Sequence, residues 1–141
     1  MATSGSLGFG KFIDDWVRKT DRRMLAVARE STQRLVSLCQ SRIPIDTGFA
    51  RASIQGSLSE MPSIDPASRG RKDQTYAEPQ EVYTVIAGAE LGDIIYVGWT
   101  ASYVGFLENG HSKQAPAGFV RVSVLEWPQI VSQVVAEAKS R

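Results

Sequence analysis

The sequence predicts a single α+β domain with a long N-terminal helix, a small antiparallel sheet carrying a long loop insertion, and a C-terminal helix. Residues 11–43 repeat apolar side chains every three or four positions. Residues 50–100 contain short β-rich runs separated by turn residues, and residues 115–141 return to a helical period. At 141 residues, 43% of them apolar, the chain is long enough for one modest core and too short for two.

The first predicted element is a long helix that follows a flexible arm. Residues 1–10 are rich in Gly and Ser and carry no charge, so they are assigned to the arm, and residues 11–141 to the single domain. The helix is predicted from Lys11 to Ile43, and a capping residue at Thr20 leaves open a second helix that begins at Arg22. Its apolar face is long for so small a domain and is typical of a helix that packs against a neighbouring subunit.

The predicted helix is basic, because its span contains eight basic and four acidic side chains although the whole chain has a net charge of only +1. Arg18, Arg22 and Arg29 share one face at helical spacing. A solvated face, the lining of a ring lumen and a phosphate-binding surface each explain this face. Cys39 lies on the apolar stripe, which favours a buried thiol over a nucleophile.

A turn motif is predicted to end the helix and direct the chain into a strand. Proline disfavours helical geometry in the preceding residue, Asp and Thr side chains bond nearby backbone amides, and glycine accepts positive φ. We therefore propose that Asp46 caps or braces the turn and transfers no proton. The motif comprises Pro44, Asp46, Thr47, Gly48, Arg51 and Ser53.

The Asp46-Thr47-Gly48 triplet also occurs in aspartic proteases, where it carries the catalytic carboxylate. That chemistry needs two carboxylates sharing a proton, and this chain has no second copy, although a homodimer could supply one. In the retroviral enzymes an apolar strand precedes the triplet, whereas an arginine-rich helix precedes it here. The structural interpretation is therefore favoured.

After the turn, residues 50–60 alternate and predict a half-buried strand. Residues 61–80 contain three prolines and few apolar side chains, which predicts an exposed loop. Arg69, Arg71 and Lys72 lie in this loop. We expect the loop and the arm to contact other subunits or proteins and to become ordered only in an assembly.

Residues 81–91 and 94–100 predict a β-hairpin, because Gly92-Asp93 separates two β-rich runs. The second run is apolar on both sides and is predicted to be the most covered strand. One helical turn is predicted over residues 103–109, ended by Gly110 as a left-handed cap.

The C-terminal helix is predicted from residue 115 onwards, with Pro116 in its first turn. Pro128 interrupts the helical pattern and predicts a kink or a restart at Trp127-Pro128. Residues 119–125 form a short β-branched run that leaves a strand open as an alternative.

Three sequence blocks together carry a family resemblance. They are the Pro-Ile-Asp-Thr-Gly-x-x-Arg-x-Ser-Ile run from Pro44, residues 103–110 (Tyr-Val-Gly-Phe-Leu-Glu-Asn-Gly), and residues 115–121 (Ala-Pro-Ala-Gly-Phe-Val-Arg). In this order, on a chain of this length with a leading helix, they resemble the gene-product-ten-like neck and tail-component family of lambdoid tailed bacteriophages. The long loop at 61–80 and Val122, where a proline often follows the arginine, depart from the family pattern.

The resemblance implies a virion structural protein without enzymatic activity, made in the host cytosol. It implies a homo-oligomeric ring, here expected to have roughly six or more subunits, between the head-closure or portal proteins and the tail terminator or tail tube. Transient contact with passing DNA would follow, and no membrane is involved. A ring that terminates the tail tube remains an alternative, as does, in another class, a small nucleic-acid-binding module that uses the basic helix.

The residues expected at subunit or partner interfaces combine exposed cations with aromatic side chains, and Glu108 is expected to pair with an arginine of its own or a neighbouring subunit. Arg18, Arg22 and Arg29 are expected to face the lumen or DNA. The interface set is Trp16, Arg69, Arg71, Lys72, Tyr103, Phe106, Glu108, Phe119 and Arg121.

No catalytic, cofactor or metal site is predicted from the sequence. His111 is the only histidine, so a nucleophile pair could not be completed without it, and its surroundings favour a solvated ring. The Leu7-Gly8-Phe9-Gly10 run does not follow a strand, which argues against a phosphate-binding loop. No N-terminal run has a signal-peptide core, and no apolar run approaches a membrane span in length.

Overall fold

The computed structural model describes residues 2–110 and 112–140, with backbone only for residues 2–7. The predicted α+β class is confirmed: a long helix, two antiparallel strands and a C-terminal helix form the body. The elements in chain order are α1 (Ala2–Arg42), α2 (Phe49–Ala52), β1 (Ile54–Ser57), α3 (Glu81–Ala87), β2 (Tyr96–Trp99), α4 (Val104–Glu108), α5 (Val120–Val124) and α6 (Trp127–Lys139).

Helix α1 is continuous from Ala2, so the assignment of residues 1–10 to an arm outside the helix is wrong for residues 2–10. There is no second start at Arg22, because α1 is one unbroken helix there; the Thr20 hydroxyl donates to the Trp16 carbonyl oxygen of the same helix, at 2.9 Å. A Ser or Thr side chain that bonds the carbonyl four residues earlier is compatible with a helix interior. The helix is about 60 Å long at roughly 1.5 Å per residue.

The sheet has two strands in antiparallel register, with Ile54 opposite Trp99 and Ser57 opposite Tyr96. The predicted hairpin is wrong, since residues 81–87 are helical and β2 pairs with β1. Val82 and Ile86, four residues apart, are buried against β1 on one face of α3. This burial favours a helix over the alternating strand that the β-branched residues suggest.

The predicted strand over residues 50–60 is shorter than expected, because Phe49–Ala52 forms the helical turn α2. The C-terminal helical region begins with α5 at Val120, so the predicted start at residue 115, with Pro116 in the first turn, is wrong. The alternative strand over residues 119–125 is excluded as well. The restart near Pro128 is confirmed, since α6 begins at Trp127 with the proline in its first turn. The predicted helical turn is confirmed as α4, and Gly110 has φ +83° after it.

Two apolar clusters form the core on either side of Trp99, which packs against both. One cluster joins the C-terminal part of α1, including the buried Cys39, to Val104 and Phe119. The other joins Val36 to β1 and α3. The Trp99 and Phe119 rings meet edge to face with centroids 5.0 Å apart.

Helix α6 packs antiparallel against α1, as two ion pairs show. Arg42 pairs with Glu126 near the start of α6, and Arg34 pairs with Glu137 near its end. None of the helices in the described part of the chain is long and apolar enough to cross a membrane.

Candidate assembly surfaces

The turn after α1 is held by Thr47 and Gly48. The Thr47 hydroxyl accepts a hydrogen bond from the Phe49 amide at 3.2 Å, and the Thr47 carbonyl oxygen accepts one from the Tyr76 amide at 2.9 Å. Gly48 has φ +86°, as predicted, and a Cβ there would lie 2.6 Å from the Tyr76 carbonyl oxygen. The exposed Asp46 carboxylate accepts no hydrogen bond from the described residues, and Thr47 braces the turn in place of Asp46.

The remaining motif residues connect the turn to the sheet and to α1. Pro44 is buried at the end of α1. The Ser53 hydroxyl donates to the Ala50 carbonyl oxygen at 2.6 Å, and the Ser53 carbonyl oxygen accepts from the Thr100 amide at 3.1 Å. The Nε atom of Arg51 is buried and forms no hydrogen bond with another described residue.

Gln40 is a buried polar residue on α1 that the sequence did not single out. Its side-chain amide donates to the Arg51 carbonyl oxygen at 3.0 Å and accepts from the Trp99 indole nitrogen at 2.7 Å. The side chain therefore joins α1, the turn motif and β2. A glutamine next to Cys39 on the apolar stripe was the available sequence signal, because a buried amide needs partners.

Glu108 caps the N-terminus of α5 from outside that helix. Its carboxylate accepts the amides of Phe119 at 2.8 Å, Val120 at 3.1 Å and Arg121 at 3.0 Å. The Arg121 guanidinium donates to the Glu108 carbonyl oxygen and, at 2.9 Å, to the side-chain oxygen of Asn109. Glu108 and Arg121 of the same chain therefore contact each other through hydrogen bonds in which one partner is a backbone group, and the expected ion pair of Glu108 with an arginine is not found among the described residues.

Phe119 belongs to the core rather than to an interface, since its side chain is 1% exposed and packs against Trp99. Its assignment to the interface set is wrong for the described chain. The misassignment has a physical reason: large aromatic side chains dominate cores and interfaces alike, so the residue type does not separate the two.

The loop at 61–80 has no helix or strand, as predicted, but it is fastened to the body at several points. The Asp65 amide donates to the Thr100 carbonyl oxygen at 2.9 Å, and the Ser102 amide donates to the Ser68 carbonyl oxygen at 3.0 Å. Gly70 lies against the Phe49 ring, which contacts Tyr76 edge to face. The expectation that the loop is ordered only in an assembly does not hold at these points.

The loop forms one wall of an open pocket of about 620 Å³ that collects several predicted interface residues. Arg69, Arg71 and Lys72 line it together with Tyr103 and Phe106. Phe106 is 62% exposed. Burial raises the pKa of the Tyr103 phenol, and the nearby Asp46 charge raises it further, so the phenol stays protonated at neutral pH.

The three arginines expected to face a lumen differ in their surroundings. Arg18 and Arg22 are exposed. Arg29 donates from Nε to the Ala89 carbonyl oxygen at 2.8 Å and lies 3.8 Å from a Glu90 carboxylate oxygen, so it holds the end of α3 against α1. It is therefore engaged within the chain and does not extend the basic face.

The N-terminal half of α1 extends away from the body. From residue 8 to residue 24 the side chains are exposed, apart from the intermediate Thr20; we call this the projecting segment. One face carries a stripe of large apolar side chains, the projecting stripe. Its members are Phe9, Phe12, Ile13, Trp16 and Val17, with Trp16 60% exposed.

Where α1 joins the body, an apolar groove of about 920 Å³ runs between α1 and α6. Met24, Val27 and Ala28 line it from α1, and Val131 and Val135 line it from α6. Arg23 and Lys139 also line this α1–α6 groove. The lining of the groove is therefore mainly apolar, and its charged side chains are both cations.

Cys39 and His111 are the candidate nucleophiles or metal ligands of the chain. Burial raises the pKa of the Cys39 thiol, and the side chain is 3% exposed, so the predicted buried thiol is confirmed. The residues that the structure describes contain no group of His, Cys, Asp and Glu side chains placed to hold a metal ion. His111 lies outside the described residues.

Comparisons of the chain with protein-family models, with curated proteins and with solved structures find no match. The resemblance to the phage neck family therefore stays a prediction that depends on the three sequence blocks at residues 44–54, 103–110 and 115–121.

Proposed function

We propose that this chain is a structural subunit of the joint between head and tail in a tailed bacteriophage, where copies form a closed ring. The observation that carries the proposal is the projecting segment of α1. Phe9 is 68% exposed and Phe12 65%, and both lie on a helix that leaves the body of its own chain. A helix that packs against nothing lacks the tertiary packing that stabilises most protein helices, and contiguous apolar surface of this kind marks a protein interface.

The distribution of charge along the projecting segment is compatible with a ring around DNA. At about 100° per residue, Arg18 lies on the side of the helix opposite Trp16. Contact through the apolar side would therefore leave Arg18 and Arg22 exposed. Cations on an exposed inner face would interact with phosphates without recognising bases.

The open pocket at 61–80 supplies a second surface for the layers above or below the ring. Arg69 and Lys72 lie there beside two aromatic side chains, together with Arg71, which pairs with Asp73 of its own loop at 3.3 Å. Aromatic and arginine side chains are enriched where proteins meet. An acidic surface on a head-closure or tail protein is the partner that this charge favours. The turn motif holds one side of this surface, because the Thr47 carbonyl oxygen bonds the Tyr76 amide of the loop. The Glu108 cap holds the other side, because α4 carries both Phe106 and Glu108.

A deletion of the gene tests the proposal. In a lysate of the deletion phage we expect DNA-filled heads and separate tails of normal length in electron micrographs, with joining restored by the gene in trans. Tails of uncontrolled length would instead assign the chain to tail termination, because nothing would then stop polymerisation of the tube. Normal, infectious virions without the chain would refute both structural roles.

A nucleic-acid-binding module remains the rival in another class, since Arg18, Lys19, Arg22 and Arg23 are exposed on α1. That function requires binding whose affinity falls steeply with salt and whose slope decreases as these cations are removed. A binding titration of duplex DNA at two salt concentrations separates the classes. The structural role predicts weak binding with no base preference.

A further inference from the structure

The α1–α6 groove and the projecting stripe are both apolar surfaces of one chain that remain uncovered in that chain. The projecting stripe cannot reach the groove of its own chain. Both lie on the same unbroken helix, and residue 13 lies about 20 Å along the axis from residue 27 at roughly 1.5 Å per residue. An occupant from the same sequence must therefore come from a second copy.

The charges at the two surfaces are complementary. Asp14 and Asp15 are exposed and flank the projecting stripe on its two sides, with the exposed Lys19 on the same side as Asp15, and neither carboxylate forms an ion pair within the described part of the chain. Arg23 and Lys139, which line the groove, form none with another described residue either. Docking of the stripe in the groove would bring two acidic side chains to two cations.

We infer that the projecting stripe of one copy docks in the α1–α6 groove of the next copy. The inference rests on the proposed function and specifies which surfaces join the ring. Stripe and groove are different surfaces, so the contact is head-to-tail, and a repeated head-to-tail contact generates a ring when the rotation closes. A symmetric contact of stripe with stripe would form a closed dimer and leave the groove empty.

The occupant is a helix of defined chemistry. Its apolar side chains recur at spacings of three and four residues, the pattern by which an amphipathic helix occupies a hydrophobic groove. Ala28 on the groove floor is small and permits close approach of a second helix. Trp16 is the central side chain of the stripe and has the size and exposure of an interface anchor.

Cysteine cross-linking between two differently tagged chains tests the inference. In a Cys39→Ala background, one chain carries Trp16→Cys and the other Val135→Cys, and the mixture is oxidised. We expect a disulfide between chains of different tag. Arg18→Cys replaces Trp16→Cys in the matched control, because position 18 lies on the opposite side of the helix and should give little cross-linking with position 135.

The outcomes are decisive in both directions. A cross-link between two Trp16→Cys chains, without the 16–135 product, would show a symmetric dimer and overturn the inference. Absence of any cross-link from variants with unchanged circular dichroism would also overturn it. Selective 16–135 cross-linking, at a level well above that of the 18–135 control, would support it.

A charge exchange supplies a test that retains the apolar contact. Asp15→Lys should weaken self-association about twofold to fivefold, the range of an exposed ion pair, when Kd is measured by sedimentation. Lys139→Glu on the other chain should restore part of the loss. Equal losses in the single and paired variants would contradict a contact between Asp15 of one copy and Lys139 of the next. Cross-linking tests the docking mode, and gene deletion tests the proposed function. A ring in the neck that lacks the 16–135 contact would refute only the docking mode.

Discussion

Removal of the Glu108 carboxylate should destabilise the fold because three backbone amides lose their acceptor at once. The Phe119 amide belongs to a residue that is 1% exposed, and its donor would have no water to replace the carboxylate. A buried donor without a partner costs about 1–3 kcal/mol, and loss of a helix cap typically costs about 1 kcal/mol. For Glu108→Ala we therefore expect a loss of about 2–4 kcal/mol in the free energy of unfolding.

The assay is urea denaturation and thermal unfolding followed by circular dichroism. At about 4 °C per kcal/mol, the expected loss lowers Tm by about 8–16 °C. Glu108→Gln retains one carbonyl acceptor and should lose about half as much. The control is Glu60→Ala, an exposed carboxylate for which we expect a change within about 0.5 kcal/mol. A Glu108→Ala variant as stable as this control would refute the capping role.

Three further predictions concern single positions. Gly48→Ala should lower the free energy of unfolding by about 1–3 kcal/mol in chemical denaturation, because φ at this position is +86° and the new Cβ would meet the Tyr76 carbonyl oxygen. Asp46→Asn is the control and should be nearly neutral. Equal stability of the two variants would contradict the turn geometry. Arg29→Met should lower the free energy of unfolding by about 1–2 kcal/mol, because it leaves the Ala89 carbonyl oxygen unpaired. Arg18→Met, at an exposed position, is the control. Equal unfolding midpoints of the two variants would contradict the role of Arg29 in holding α3 against α1. Cys39 should react with a thiol reagent at pH 8 only after unfolding, because burial removes access and raises its pKa; rapid labelling of the folded chain would place it at the surface.

Local signals in the sequence were sufficient for several elements. The periodicity of α1, the positive φ of Gly48 and Gly110, and the restart at Trp127-Pro128 each depend on a few neighbouring residues, and each prediction is confirmed. Glycine and proline act through their own backbone restrictions. Such signals do not depend on which distant residues pack against them.

The hairpin failed because its signal was not local. Residues 81–87 combine β-branched side chains with a pair of apolar residues, Val82 and Ile86, at helical spacing. Burial of this pair against β1 stabilises the helix over the strand. The spacing of four was visible in the sequence, but only the position of β1 shows which pattern is buried.

The candidate surfaces were predictable as composition but not as geometry. The cations at positions 69, 71 and 72 and the exposed Trp16 were identified from the sequence. The three amides that surround Glu108 follow 11 to 13 residues later, and no local pattern indicates that contact. The α1–α6 groove likewise depends on how α6 turns back along α1, which Arg34–Glu137 and Arg42–Glu126 fix.

We expect copies of this chain to form a ring through the projecting segment of α1. Electron cryomicroscopy of the neck of intact virions tests it most directly. We expect a closed ring of roughly six or more copies, with residues 9–17 of each copy lying against α6 of the next. A neck that contains this chain as a single copy, or a ring whose copies leave this part of α1 exposed, would contradict it.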